Sequence, residues 1–194
     1  MAKKSTRNTR GRIVSAAWKL FYEQGYEDTT VEEIIELSGT SKGSFYHYFD
    51  GKDALLSTLS SLFDEKYEEL TGLLTQEMTA MEQLLFLNRE LFHMIEDSIS
   101  LDLLARLYST QLTPNGEKHL LDHNRIYYKL LRKIIAKGQD DGQLSCRSNV
   151  NEMVKLYALC ERALLYDWCL CAGEYALTEY SAKVLPGFLS SFLP

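Results

Sequence analysis

Apolar residues recur at Ile13, Ala16, Ala17, Leu20 and Phe21, the stripe that one face of a helix presents, so the spacing predicts an amphipathic helix over residues 8–24, stopped by Gly25. Thr30-Val31-Glu32-Glu33 then reads as a capping box, in which the Thr hydroxyl and the Glu carboxylate satisfy amides left without carbonyl partners at a helix start. A second helix follows through Ile34, Ile35 and Leu37 to Ser38. Gly39 can take the left-handed conformation that ends it, Thr40 bridges, and Ser41 caps a third helix from Lys42 to Tyr48. Two short helices joined by about three residues that include a glycine are the pattern of a helix-turn-helix. Phe45 and Phe49, four apart, face the core, which leaves Lys42, Ser44, Tyr46, His47 and Tyr48 around the other sides.

A longer helix is expected from Lys52, burying Leu55, Leu56, Leu59, Leu62 and Phe63. Further helical spacing covers residues 79–97, 100–112, 116–139, 149–172 and 178–192. The joints Asp97-Ser98, Thr113-Pro114-Asn115-Gly116 and Asp140-Asp141-Gly142 carry turn chemistry. With three prolines and no sustained apolar-polar alternation, the chain reads as all-α with about nine helices. It divides into a three-helix module over residues 1–52 and a larger helical module over residues 53–194. From Met153 to Ala172 only Lys155, Glu161, Arg162 and Asp167 are charged, so that helix needs burial on two sides. The last helix repeats the pattern with Val184, Leu185, Phe188, Leu189 and Phe192, with a kink expected at Pro186. Residues 149–192 are therefore expected to form a homodimer.

Charge changes the picture for the first module. Its Lys and Arg exceed its acids by one, which leaves −7 for the rest of a chain whose net charge is −6. Lys3, Lys4, Arg7, Arg10 and Arg12 fall within the first twelve residues, against no acid, a concentration that suits phosphate. That arm is either a solvating tail or a segment that follows a groove. A helix that reads DNA presents short or flexible side chains to base edges and firm donors to phosphate. Gly43 lets the backbone approach, Ser44 and Lys42 can reach base edges, and His47 or Tyr46 can touch a base or a thymine methyl. Tyr48, Thr30 and Lys52 are expected on phosphate, with Lys52 near a helix N-terminus that also favours it.

The residues Thr29-Thr30-Val31, Ile34, Ser38-Gly39-Thr40-Ser41-Lys42-Gly43-Ser44-Phe45-Tyr46-His47-Tyr48-Phe49 and Lys52-Asp53-Ala54-Leu55-Leu56 closely resemble the DNA-binding domain of the tetracycline-repressor (TetR) family. The departure is Gly51, where relatives often carry a polar residue, beside the acid Asp50. The resemblance assigns DNA contacts to the same stretch, Ser41 included. It implies a three-helix DNA-binding domain, a divergent helical effector domain, a homodimer through the last two helices, and repression of double-stranded operator DNA relieved by a small molecule. A two-fold dimer would set its reading helices about 34 to 36 Å apart on a palindrome.

Isolated polar residues interrupt the apolar stripes of the second module. Asn88 sits among Leu84, Leu91 and Ile95; Asn124 among Leu120, Tyr127 and Leu131; Glu161 among Val154, Tyr157, Leu164 and Trp168. Buried polar groups need partners, supplied by internal hydrogen bonds or by a ligand. An effector pocket bordered by Asn88, Tyr108, Asn124, Tyr127 and Glu161 is the expectation. No cofactor or metal is implied: Cys146, Cys160, Cys169 and Cys171 follow no metal spacing and read as reduced thiols. His119 and His123 have a spacing that can share a metal but lack the Glu of a zinc-protease helix, and no nucleophile with a base points to an enzyme. The N-terminus lacks the apolar stretch of a signal peptide and no segment has the length of a membrane span, so a cytoplasmic protein is expected. A DNA-binding domain governed by a protein partner, or serving chromosome organisation, is the alternative.

Overall fold

Helix α1 covers Ala2–Gln24, starting earlier than its apolar stripe, and ends where Gly25 turns to φ 90°. The computed structural model describes residues 2–113 and 118–194, and of residues 2–8 the backbone only. Lys3, Lys4 and Arg7 of the basic arm, and Pro114, Asn115 and Gly116 of the expected turn, thus have side chains outside the described residues. Ile13, Ala16, Ala17 and Phe21 are buried, as the stripe requires. Helices α2 (Val31–Ser38) and α3 (Lys42–Tyr48) follow.

The single long helix expected from Lys52 is two, α4 (Lys52–Leu56) and α5 (Leu59–Thr71). The break follows from side chains that compete for the helix's own carbonyls: Ser57 Oγ donates to Ala54 O at 2.7 Å and Thr58 Oγ1 to Leu55 O at 2.5 Å. The chain forms two compact units, Met1–Ser61 and Leu62–Pro194, so the division falls later than residues 52 and 53. The reason is that α4 is stitched into the first unit. Leu55, Leu56 and Leu59 are buried, Trp18 Nε1 donates to Thr58 Oγ1 at 2.8 Å, and the Tyr26 hydroxyl donates to Asp53.

In the second unit α6 (Ala80–Ser98), α7 (Leu101–Leu112), α8 (Ile126–Asp140), α9 (Val150–Leu170) and α10 (Leu177–Leu189) pack with α6 against α8 and α10, and α9 against α7, α8 and α10. Thr79, Ser100 and Asn149 cap α6, α7 and α9. α10 has no local cap. Glu96 of α6 supplies one, accepting from Leu177 N at 2.5 Å and Thr178 N at 2.9 Å. α6 and α8 approach so closely at Gly138 that a Cβ there would lie 2.6 Å from that of Ala80. The helix expected over residues 116–139 starts only at Ile126, because Asp122 Oδ1 accepts from Asn124 N at 2.9 Å and Arg125 N bonds Asp122 O, a turn that ends the preceding 3-10 segment His119–Leu121. The described residues contain no strand, and no helix among them is long and apolar enough to cross a membrane.

Candidate nucleic-acid interface and ligand cavity

The turn between α2 and α3 is fixed from several sides. Gly39 takes φ 59°, its N–H bonds Glu36 O at 3.0 Å, and its carbonyl accepts from Arg12 Nη2 of α1 at 2.8 Å. Ser38 and Thr40 share a hydroxyl pair at 2.8 Å, and Ser41 Oγ accepts from Ser44 N at 3.1 Å, capping α3. Phe45 and Phe49 are buried beneath the helix, with the Arg10 guanidinium over the Phe49 ring at 5.4 Å. Ser41, Lys42, Gly43, Tyr46 and His47 are exposed, while Ser44 and Tyr48 are half-buried. His47 and Tyr48 meet edge to face at 4.8 Å.

Gly43 is informative because the unit itself does not need a glycine there. Its φ is not left-handed, and a Cβ would meet nothing within 4 Å. A glycine inside a helix costs about 0.5–1 kcal/mol relative to alanine. That cost has no return in the packing of this unit; it fits a surface that another backbone must approach.

The other expected contacts are already engaged. Lys42 pairs with Glu32 at 3.2 Å, both well exposed, and this bond holds the Glu32 carboxyl below its ordinary range. Thr30 is spent in its capping box: its hydroxyl accepts from Glu33 N at 3.2 Å and donates to Glu33 Oε2 at 2.8 Å. Lys52 lies furthest from its expected role. Its ammonium donates to the carbonyls of Tyr26, Glu27 and Thr29 at 2.6, 3.2 and 2.8 Å and sits 4.2 Å from the Tyr26 ring centre. An ammonium has three donors, so none is left for phosphate.

In the second unit the structure joins Asn88, Tyr127 and Glu161. Buried Glu161 accepts from Asn88 Nδ2 at 2.9 Å and from the Tyr127 hydroxyl at 2.6 Å, and Asn88 Oδ1 accepts from Ser181 Oγ at 2.5 Å. Burial pushes the Glu161 carboxyl upward, and the Tyr127 and Asn88 hydrogen bonds oppose it. Beside it lies a cavity of about 40 Å³ walled by Phe63, Tyr67, Leu91, Tyr108, Leu120, Arg125, Tyr127, Glu161, Arg162 and Leu165. Tyr108, Leu120 and Arg162 also wall an apolar groove of about 290 Å³ formed with Leu112, Leu121, Leu159, Ala163 and Tyr166. Arg125 is held by Asp64 at 3.0 and 3.1 Å.

Asn124 is not part of this arrangement. It is exposed in the turn before α8, because the helix it was expected to ride begins two residues later. Tyr67 is the residue that sequence reasoning missed. Its hydroxyl is buried and has no hydrogen-bond partner among the described residues, and its ring packs 4.9 Å from that of Tyr127. Nothing in the local pattern of α5 separates Tyr67 from an ordinary core aromatic. A larger cleft of about 590 Å³ lies between α6 and α10, but two polar residues in its wall, Asn88 and Ser181, are spent on each other. His119 and His123 do not share a helix, His123 stacking instead on Tyr128 at 4.6 Å. No His, Cys, Asp and Glu group among the described residues could hold a metal.

Residues 13–59 match the family described as bacterial regulatory proteins, tetR family. An uncharacterized HTH-type transcriptional regulator in the lacX 3' region of Lactococcus lactis is 39% identical over 56 residues, 28% of this chain and 29% of that protein. The chain therefore spans less than a third of that relative. The HTH-type transcriptional regulator QacR of Staphylococcus aureus is 26% identical over 157 residues, 78% of this chain and 81% of QacR. Among solved structures, FadR of Thermus thermophilus, a TetR-family transcriptional repressor in complex with lauroyl-CoA, aligns with a TM-score of 0.71 at 25% identity over 95% of each chain.

Proposed function

This chain belongs to the TetR family of bacterial helix-turn-helix transcriptional regulators, and on that premise we propose that it is a homodimeric repressor released from a palindromic operator by a small molecule. The observation that carries the reading is α3: a helix anchored by Phe45 and Phe49 that exposes Lys42, Gly43, Tyr46 and His47, with a glycine its own fold does not require. Ser44 and Lys42 read base edges, the latter exchanging Glu32 for DNA. Ser41 and Tyr48 flank them on the backbone, joined by Thr30 where its hydroxyl turns from Glu33 to phosphate, and His47 and Tyr46 reach a base. Lys52 acts one step back, by holding the loop from Tyr26 to Thr29 that launches α2.

Support for the dimer comes from α9 and α10, where Leu159, Tyr166, Leu170 and Tyr180 are exposed. Leu159, Ala163, Tyr166 and Leu170 follow a helical stripe, an apolar face suited to a second copy of the chain. Support for an effector comes from the cavity and groove of the second unit and from the lauroyl-CoA held by the FadR relative. The molecule must favour the DNA-free arrangement, since only differential affinity shifts an equilibrium.

The test is footprinting on DNA that flanks the gene, followed by salt titrations of the wild type and Ser44→Ala on operator and scrambled DNA. A protected palindrome is expected, with Ser44→Ala weakening operator binding by about 1–3 kcal/mol and scrambled DNA less. Equal losses on both DNAs would move the reading helix elsewhere, and a monomer at micromolar concentration in sedimentation would remove the dimer.

A further inference from the structure

The inner cavity of the second unit holds two unmet demands. The Tyr67 hydroxyl is fully enclosed and has no partner among the described residues, and Tyr67 and Glu161 both line the cavity. An enclosed hydroxyl without a partner costs free energy, so something that hydrogen-bonds it is worth having. Glu161, for its part, accepts from Asn88 and Tyr127 and has the Tyr157 hydroxyl beside it; a carboxylate has about four acceptor sites, so one remains for an incoming donor.

Charge narrows the occupant. Arg125 is neutralised by Asp64, and Arg162, which donates to the Tyr128 hydroxyl at 3.2 Å, adjoins Glu161 in the chain. The formal charges around the inner cavity cancel, so neither a cation nor an anion is favoured there. An ammonium cannot accept from Tyr67. A carboxylate or ketone cannot donate to Glu161, and the former would meet a like charge. A hydroxyl does both through one oxygen.

Size and shape agree. About 40 Å³ has room for a hydroxyl and the carbon that bears it, and the groove of about 290 Å³ beyond Tyr108, Leu120 and Arg162 is walled mainly by leucine and aromatic carbon, with Gln111 and Lys118 also in its wall and the Lys118 ammonium donating to the carbonyls of Gln111 and Thr113. Together the two spaces reach the lower end of the size range of small-molecule sites, about 300–1,000 Å³. Resting on the effector-release reading, we propose that the effector is a neutral, elongated, largely apolar alcohol or phenol. Its hydroxyl is held between Tyr67 and Glu161, and its body lies along the groove.

Calorimetry on the full-length protein, free of DNA, compares 1-decanol and 4-hexylphenol with decylamine and decanoic acid at pH 7. The hydroxyl probes should bind about tenfold more tightly than either charged probe, and Tyr67→Phe should weaken them about fivefold to tenfold. The same substitution should leave the thermal midpoint of the unliganded protein unchanged or raise it, because it removes a hydroxyl with nothing to bond. Tighter binding of the amine or the acid, no binding by any probe, or undiminished binding to Tyr67→Phe would overturn the proposal. So would a lower midpoint in Tyr67→Phe, which would mean that trapped water already satisfies the hydroxyl. Leu159, Ala163 and Tyr166 belong to both the groove and the proposed dimer face, so sedimentation accompanies each titration; binding that merely dissociates the dimer would also overturn it. Operator release is read separately, and probes that bind without releasing DNA would count against the regulatory reading while leaving the ligand class standing.

Discussion

In the first unit the hydroxyls around the reading helix find partners close by in the chain, Thr30 with Glu33, Ser41 with Ser44 and Ser38 with Thr40, while Arg12 and Lys52 clamp backbone carbonyls from further off. In the second unit the polar side chains reach across it. Asn88 bonds Glu161 and Ser181, separated from it by 73 and 93 residues, and Tyr127 bonds Glu161 from 34 residues away. Local partners shape a short helix and leave its outer face free for DNA. Distant partners pin four helices, α6, α8, α9 and α10, to one another and leave a polar centre inside apolar walls. Removing a member should therefore cost little in the first unit unless it bridges elements, and much in the second. The two tryptophans fall one in each unit, so Trp18 and Trp168 can report on them separately in Trp168→Phe and Trp18→Phe backgrounds.

The largest effect should follow Asn88→Leu. The substitution keeps an apolar shape but takes a donor from Glu161 and the acceptor from Ser181, both buried. Leaving two buried groups short of partners should cost about 3 kcal/mol. The Trp168 transition in denaturant should move to lower concentration while the Trp18 transition stays in place. Equal shifts in both would mean that the units unfold together and that the contrast in range does not separate them.

Lys52→Met comes next, and it tests a long-range clamp of the first unit. Three carbonyls lose a charged donor, although Lys52 is partly solvent-accessible, so a loss of about 2 kcal/mol is expected on the Trp18 transition. Because the ammonium has no donor to spare, the salt dependence of binding to scrambled DNA should keep its slope once folding is accounted for. A slope reduced by roughly one would return Lys52 to a phosphate contact.

The same difference in range explains what the sequence could disclose. The capping box at Thr30, the left-handed Gly39 and the Ser41 cap are signals written within four residues, and each forms as its spacing implies. The stripe of α1 and the burial of Phe45 and Phe49 were equally legible, because helical period alone decides them. Three features were not. The break at Ser57 and Thr58 depends on hydroxyls choosing backbone carbonyls over solvent, and the late start of α8 depends on Asp122 taking a turn. Asn88 and Glu161 could be marked as polar residues on apolar stripes, but Asn124 bears the same mark and is exposed. Only the packing of α6, α8, α9 and α10 decides which polar residue is enclosed, and Tyr67, polar at a single atom, gives no local sign at all.

A smaller effect concerns pH. Burial raises the folded pKa of Glu161 above its ordinary 4.5, so the folded state keeps a proton that the unfolded chain releases. The contribution of this group to stability is then fully present below pH 4.5 and declines as pH rises through the folded value. A tenfold difference in proton affinity between the folded and unfolded carboxyl is worth about 1.4 kcal/mol. Glu161→Gln should flatten that decline in the Trp168 transition between pH 4 and 8, without changing the pH dependence of the Trp18 transition. An unaltered profile in the variant would show that the carboxylate is as well solvated by its hydrogen bonds as it would be by water.

The smallest effect on stability, and the sharpest test of the contrast, is Gly43→Ala. At this position α3 is right-handed and an added methyl meets open space, so the substitution should stabilise the first unit by about 0.5–1 kcal/mol through helix propensity. If the exposed face of α3 exists to let DNA come close to the backbone, the same methyl should weaken operator binding even as the fold becomes more robust. The measurement pairs the Trp18 transition with operator affinity at fixed salt. Stability up and affinity down would mean that the glycine is kept for a partner outside the chain. Stability and affinity rising together would mean that α3 does not press its backbone against DNA, and that the side chains of Lys42, Ser44, Tyr46 and His47 act from further away.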